Sequence, residues 1–176
     1  MNTSLRCSLG ALAFSCALLA GCGHPARTAT VAASGAPQLA VVGKRAPAWQ
    51  EPTTTGTSLT LDSLRGKAVY LNFFASWCPP CNEEAPNVNA LQKQYAGRGL
   101  QVVGVDIMEN ATKAKQFIDE HHLVYPAVVD SGTLRDQYRV NGLPVHVFID
   151  RSGIVRRIEI GELSRDQMRA DIMTIL

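Results

Sequence analysis

Cys78 and Cys81 stand between an apolar run and a helical pattern, and that junction constrains the chain more than any other feature. Ala68 to Ala75 is apolar and of strand length, as in a strand covered on both faces. From Cys78 to about Tyr95, the residues Val88, Leu91 and Tyr95 recur on one helical face. A strand feeding a helix places Cys78 where the first backbone N–H groups have no partners and the helix dipole is positive. Both effects favour a thiolate and lower the pKa of Cys78 below the free value of about 8.5. Such a thiol attacks a disulfide, and a second thiol three residues on displaces it. Pro79 and Pro80 are tolerated because first-turn N–H groups are unbonded anyway, and they stiffen the loop. Two other readings of the pair are half of a zinc site and an inert core pair. Zinc lacks a second Cys pair, and the four histidines have no ligand spacing. Trp77 and the two prolines argue against inert core, so no metal is assigned.

The remaining pattern predicts an α/β fold. Pro47 to Leu61 reads as short strands joined by Thr53–Gly56, and Asp62 to Lys67 as a helical turn stopped by glycine. Leu100 to Ile107 is a second buried strand, and Ala111 to His122 a helix with Ala114, Phe117 and Ile118 as its stripe. Ala127 to Asp130 is a short strand, followed by a short helix around Leu134 to Tyr138. Val145–Ile149 and Ile154–Ile160 are strands joined by Asp150–Gly153, a hairpin signal. Ser164 caps a last helix carrying Met168, Ile172 and Ile175. This order implies a mixed sheet flanked by helices, with an N-terminal strand extension.

Met1 to Cys22 reads as a secretion signal, with Arg6 its only charge and an apolar stretch from Leu9 to Ala20. That stretch is too short to span a bilayer, which needs roughly 20 residues. Leu19-Ala20-Gly21-Cys22 resembles the lipobox of bacterial lipoproteins, in which the cysteine is lipidated; an ordinary cleavable signal is the alternative. The expected organisation is a signal peptide over 1–21, a lipidated Cys22 with a flexible tether over 22–42, and a domain over 43–176. A coil of that tether's length spans about 25 Å. Of five cysteines, Cys7 and Cys16 leave with the signal and Cys22 would be lipidated, so only Cys78 and Cys81 remain as thiols. A bridge closing so small a loop restrains little of the unfolded chain, and chemistry explains it better than stapling. The formal net charge is +2 and aromatic residues are 6% of the chain, which argues against a nucleic-acid partner.

The segment Leu71–Pro86, together with Leu61–Lys67 before it and Gly142–Asp150 after it, closely resembles thioredoxin-like proteins of the TlpA/ResA group. The resemblance implies a thioredoxin-like fold and reduction of disulfides in exported proteins, with Cys78 the exposed nucleophile and Cys81 the buried resolving thiol. Pro144 would be the cis-proline against the dithiol, leaving the backbone of Leu143 free to pair with an extended substrate. Trp77, Leu143 and Pro144 would border the substrate, Trp77 packing beside the thiols and shielding them. Thioredoxins proper carry a buried Asp six residues before the first cysteine, where this chain has Asn72, which cannot take a proton. Glu84, three residues after Cys81, matches a glutamate of the TlpA/ResA pattern. We expect it to be partly desolvated and to exchange a proton with Cys81; a solvated first-turn glutamate is the plainer alternative. Glu83 fits that plainer role. Pro86 should kink the helix. His146 reads as a core or hydrogen-bonded histidine, with a metal ligand or proton shuttle as alternatives. His121 and His122 end a helix, where a cation is favourable.

The expected function is a lipid-anchored thiol-disulfide oxidoreductase of the bacterial cell envelope, facing the periplasm or the outer side of the cytoplasmic membrane. Its substrates would be oxidised exported proteins, apocytochrome thiols of cytochrome c biogenesis among them. A membrane electron donor of thiol-reductase type would renew it, and the Cys78–Cys81 disulfide would serve in place of any cofactor. The alternatives are an oxidase or isomerase with the same site, and a Cu(I)-handling protein using Cys78, Cys81 and His146.

Overall fold

The computed structural model describes residues 38–176; the expected signal peptide, Cys22 and most of the expected tether lie outside them. A small antiparallel hairpin comes first, β1 (Gln50–Pro52) and β2 (Ser58–Thr60), joined through the expected threonine-rich turn. Then follow β3 (Ala68–Phe74), α1 (Pro79–Tyr95), β4 (Leu100–Asp106), α2 (Ala111–Glu120), β5 (Ala127–Val129) and α3 (Thr133–Gln137). The chain ends with β6 (Val145–Ile149), β7 (Val155–Ile160) and α4 (Arg165–Ile175). The main sheet has the order β5-β4-β3-β6-β7. β3, β4 and β5 run parallel, and β6 is antiparallel to both of its neighbours.

β3 lies at the centre, and all seven of its residues are buried. Its side chains alternate between two cores, as a strand's period of two requires. Ala68 and Tyr70 pack with Val88 and Leu91 of α1 and with Met168 and Ile172 of α4. Val69, Leu71 and Phe73 face the opposite side, under Trp49, Leu134 and Tyr138. The sequence reading thus meets the observed mixed sheet with helices on both faces.

Element ends differ from the sequence reading by one or two residues. α2 stops at Glu120 rather than His122 because His122 has φ 51°, and the Leu123 N–H closes on the Ile118 carbonyl at 3.0 Å. Ser164 caps α4 as expected, and Gln167 completes a reciprocal capping box that stabilises the helix by about 1 kcal/mol. α1 runs through Pro86 without a break.

Two details bear on the site. Gly104 on β4 lets the Phe74 ring lie close to the backbone; a Cβ there would stand 3.0 Å from Phe74 Cε1 and 3.1 Å from Ala127 Cβ. Phe74 is thereby free to stack on Phe117 of α2, with ring centroids 4.4 Å apart. The N-terminal hairpin lies along the outer edge of β5: Thr54 N–H donates to the Ala127 carbonyl at 3.1 Å, and Thr53 forms a bridge with Val128. Buried Glu51 fastens it further by accepting the N–H and hydroxyl of Ser131. No helix among the described residues is long and apolar enough to cross a membrane.

Candidate active site

β3 delivers the chain to the dithiol, and α1 begins there. Cys78 is the N-cap of α1 in extended conformation and is bonded to Cys81 as a disulfide, with Cα atoms 5.3 Å apart. Pro79 and Pro80 fill the first two helical positions and bring no N–H. The first available N–H of the helix is therefore that of Cys81, which donates to Cys78 Sγ at 3.3 Å.

The loop before the helix is held from two sides. Glu109, just ahead of α2, accepts the N–H and the hydroxyl of Ser76. Asn82 donates to the carbonyls of Ser76 and Cys78 at 3.0 and 2.8 Å, and its own oxygen lies 2.9 Å from His121 Nε2. His121 is thus an active-site support rather than a cation at a helix end; burial lowers its pKa, and its ring lies against Phe117. Glu109 and Asn82 carried no motif that would have singled them out. Their roles depend on partners set by loop geometry, in the case of Glu109 a serine 33 residues away.

The expectation of an exposed Cys78 is corrected. Cys78 and Cys81 are 3% and 4% exposed, because Phe74, Ala75, Ala85, Phe117 and Ala127 enclose both, with Leu143 packed against the group. Trp77 does not shield them as expected: it is 59% exposed, and most of the indole faces solvent. The Leu143–Pro144 peptide is cis. The Pro144 carbonyl accepts the Gly161 N–H at 2.9 Å, while Leu143 makes no backbone hydrogen bond to another described residue.

Glu84 projects from α1 one turn after Cys81 and is 2% exposed, which sets aside the solvated alternative. Its Oε1 accepts the Leu163 N–H, and its Oε2 has no hydrogen bond among the described residues. Burial raises its pKa to about 7; the Leu163 N–H works against that rise, and the charge of Glu162 adds to it. Glu83 is exposed, in keeping with the plainer role. His146 is fully buried, with Nε2 3.1 Å from the Gly161 carbonyl and Nδ1 2.7 Å from the Tyr70 hydroxyl. With both ring nitrogens engaged by protein groups, it is not available as the third ligand the copper reading needs.

A second buried carboxyl escaped the sequence reading. Asp106 ends β4, has no exposed surface, and neither of its oxygens has a hydrogen-bond donor among the described residues. Burial, reinforced by neighbouring Glu109, raises its pKa to about 8. An aspartate closing the apolar run Val102–Val105 was the available signal.

Residues 42–158 match the AhpC/TSA family. The thiol-disulfide oxidoreductase ResA of Bacillus cereus is 33% identical over 135 residues, covering 76% of this chain and 78% of that protein. Thioredoxin-like protein YneN of Bacillus subtilis is 33% identical over 129 residues, covering 72% and 75%. A thioredoxin-family thiol:disulfide interchange protein from Chlorobium tepidum superposes with a TM-score of 0.71 at 29% identity, covering 77% of this chain and 97% of that one.

Proposed function

The chain belongs to the AhpC/TSA family as a thioredoxin-like thiol-disulfide oxidoreductase, and from that premise we propose that it reduces disulfides of exported proteins. Cys78 is the attacking thiolate, Cys81 the resolving thiol and Glu84 the proton acceptor. The observation that carries this assignment is the placement of a buried carboxyl with one bare oxygen a single helical turn beyond Cys81.

In the reduced protein the Cys78 thiolate attacks one sulfur of the substrate disulfide. That S–S bond breaks, the first substrate sulfur leaves as a thiolate, and a mixed disulfide forms. Cys81 then gives its proton to Glu84 and attacks Cys78 Sγ. The mixed disulfide breaks, the second substrate thiolate leaves, and two electrons have passed from the protein to the substrate. Substrate enters as an extended segment along Leu143, whose backbone has no hydrogen-bond partner among the described residues, with the exposed Trp77 on its other side. A membrane thiol reductase returns the two electrons. A lipid on Cys22 holds the domain at the envelope, outside the cytoplasm.

The prolines support the reducing direction. A dithiol is strongly oxidising when its thiolate form is stabilised. Here Pro79 and Pro80 withhold two N–H groups, and among the described residues Cys78 Sγ is left with the one donor from Cys81. Equilibrating the domain with a defined thiol–disulfide buffer tests this. A potential near about −270 mV supports a reductant. One near about −120 mV overturns the direction and makes it a disulfide donor with the same site.

A further inference from the structure

His146 lies on β6, two residues beyond Pro144, and its surroundings fix its protonation. The Gly161 carbonyl can only accept, so the hydrogen of the neutral ring is on Nε2. Nδ1 is then an acceptor, and two donors converge on it: the Tyr70 hydroxyl at 2.7 Å and Asn72 Nδ2 at 3.5 Å. Burial lowers the His146 pKa to about 4, and burial with the nearby Glu84 keeps the Tyr70 phenol protonated far above its ordinary range. The contact of His146 Nε2 with Glu84 Oε2, at 3.5 Å, is therefore no ion pair in the neutral range. The ring hydrogen goes to the Gly161 carbonyl, and the N–H edge of the ring lies beside Glu84 Oε2, which has no hydrogen bond among the described residues.

We propose that His146, locked as its Nε2–H tautomer by Tyr70 and Gly161, is a positioning residue that keeps Glu84 able to accept the proton of Cys81. Neither Tyr70 nor His146 gains or loses a proton in the cycle, so the pair acts as a scaffold rather than a shuttle. The ring N–H favours the carboxylate over the acid, partly offsetting the burial that drives Glu84 towards the acid. Without it, the Glu84 pKa would rise further, and a smaller fraction of Glu84 could take a proton from Cys81 at neutral pH.

The inference rests on the reading of Glu84 as the acceptor for Cys81. Among the described residues, the charge that acts on the carboxyl is that of Glu162, in the segment before α4, which raises the Glu84 pKa. Cys81 shares the helix of Glu84. Behind His146, Tyr70 faces Tyr125 and Asp171, and Asp171 is held by Arg157 at 2.8 Å.

Three measurements test the inference on the full domain: the Glu84 carboxyl titration by carbon NMR in the oxidised protein, the imidazole nitrogen shifts of His146, and the pH profile of mixed-disulfide resolution. His146→Leu should raise the Glu84 midpoint by about one pH unit. His146→Gln, whose amide can place an N–H near the Nε2 position, should restore it to within a few tenths of the wild-type value. In the wild-type chain, where no question of folding arises, the Nε2–H signal should shift with the Glu84 midpoint while Nδ1 keeps an acceptor's shift throughout. An unmoved Glu84 midpoint in His146→Leu, or an imidazole blind to that titration, overturns the inference. If the Glu84 midpoint moves and the resolution profile does not follow, the coupling stands and Glu84 loses its place as acceptor.

Discussion

Glu109 takes both donors of Ser76, the backbone N–H on one carboxylate oxygen and the hydroxyl on the other, each at 2.6 Å. The segment ahead of α2 thereby fixes the loop from which Trp77 and Cys78 emerge. Ser76→Ala removes one charge-assisted bond and should cost about 1–2 kcal/mol in urea unfolding. Glu109→Ala should cost more, because it also strands the Ser76 N–H, and it should slow disulfide exchange. Equal costs for the two variants would show that the backbone bond contributes nothing.

Asp106 links stability to pH. Its folded pKa of about 8 lies above the ordinary 3.8, so the folded state holds the extra proton between those values. The stability it contributes is complete below about pH 3.8 and is lost as pH rises through about 8. Asp106→Asn has nearly the same shape and cannot ionise. The variant's melting temperature should exceed that of the wild type by a margin that grows from pH 5 to pH 9. A margin independent of pH would mean that Asp106 carries the same charge folded and unfolded.

Glu84 behaves in the same sense over a lower window. Its stabilising proton is fully in place below about 4.5 and is lost through about 7. Glu84→Gln should therefore gain stability relative to the wild type at pH 8, by up to about 3 kcal/mol. The same variant should lose the step near pH 7 in the rate of mixed-disulfide resolution. Stopped-flow exchange with a chromogenic disulfide at pH 5–9 reads this, and an unchanged profile would remove Glu84 from the reaction.

Gly104→Ala probes the wall behind the sulfurs. The added Cβ meets Phe74 Cε1 and Ala127 Cβ at distances that force one of them to move. A loss of about 1–3 kcal/mol is expected, with a disturbed Phe74–Phe117 stack visible in near-UV circular dichroism. Wild-type stability in this variant would show that β4 shifts without strain.

The sequence carried the framework because the framework is local. Ala68–Phe74 is apolar but for Asn72, so a buried central strand follows from composition, and CxxC with prolines between the cysteines marks a helix start. Val145–Ile149 and the Ser164 cap were likewise written in short patterns. The second layer of the site is not local. Ser76 and Glu109 are 33 residues apart, Asn82 and His121 are 39 apart, and Tyr70 and His146 are 76 apart. Periodicity names which side chains point inward, but not which polar groups meet there. The exposure of Trp77 and the burial of Cys78 were misjudged for the same reason: each depends on how neighbouring loops fold over it.

An open strand edge is a place where any extended chain can pair. Here the border at β5 is occupied by Thr53 and Thr54. The border at β7 is bonded at Val155 by Gly43 and Lys44, and it carries Arg156, Arg157 and Glu159 along its length. Both margins are thus covered, and the backbone of Leu143, beside the sulfurs, is where the proposed substrate segment would pair. Closed margins of this kind leave little main chain for a second copy to template on, and they narrow the choice of landing place for the proposed substrate.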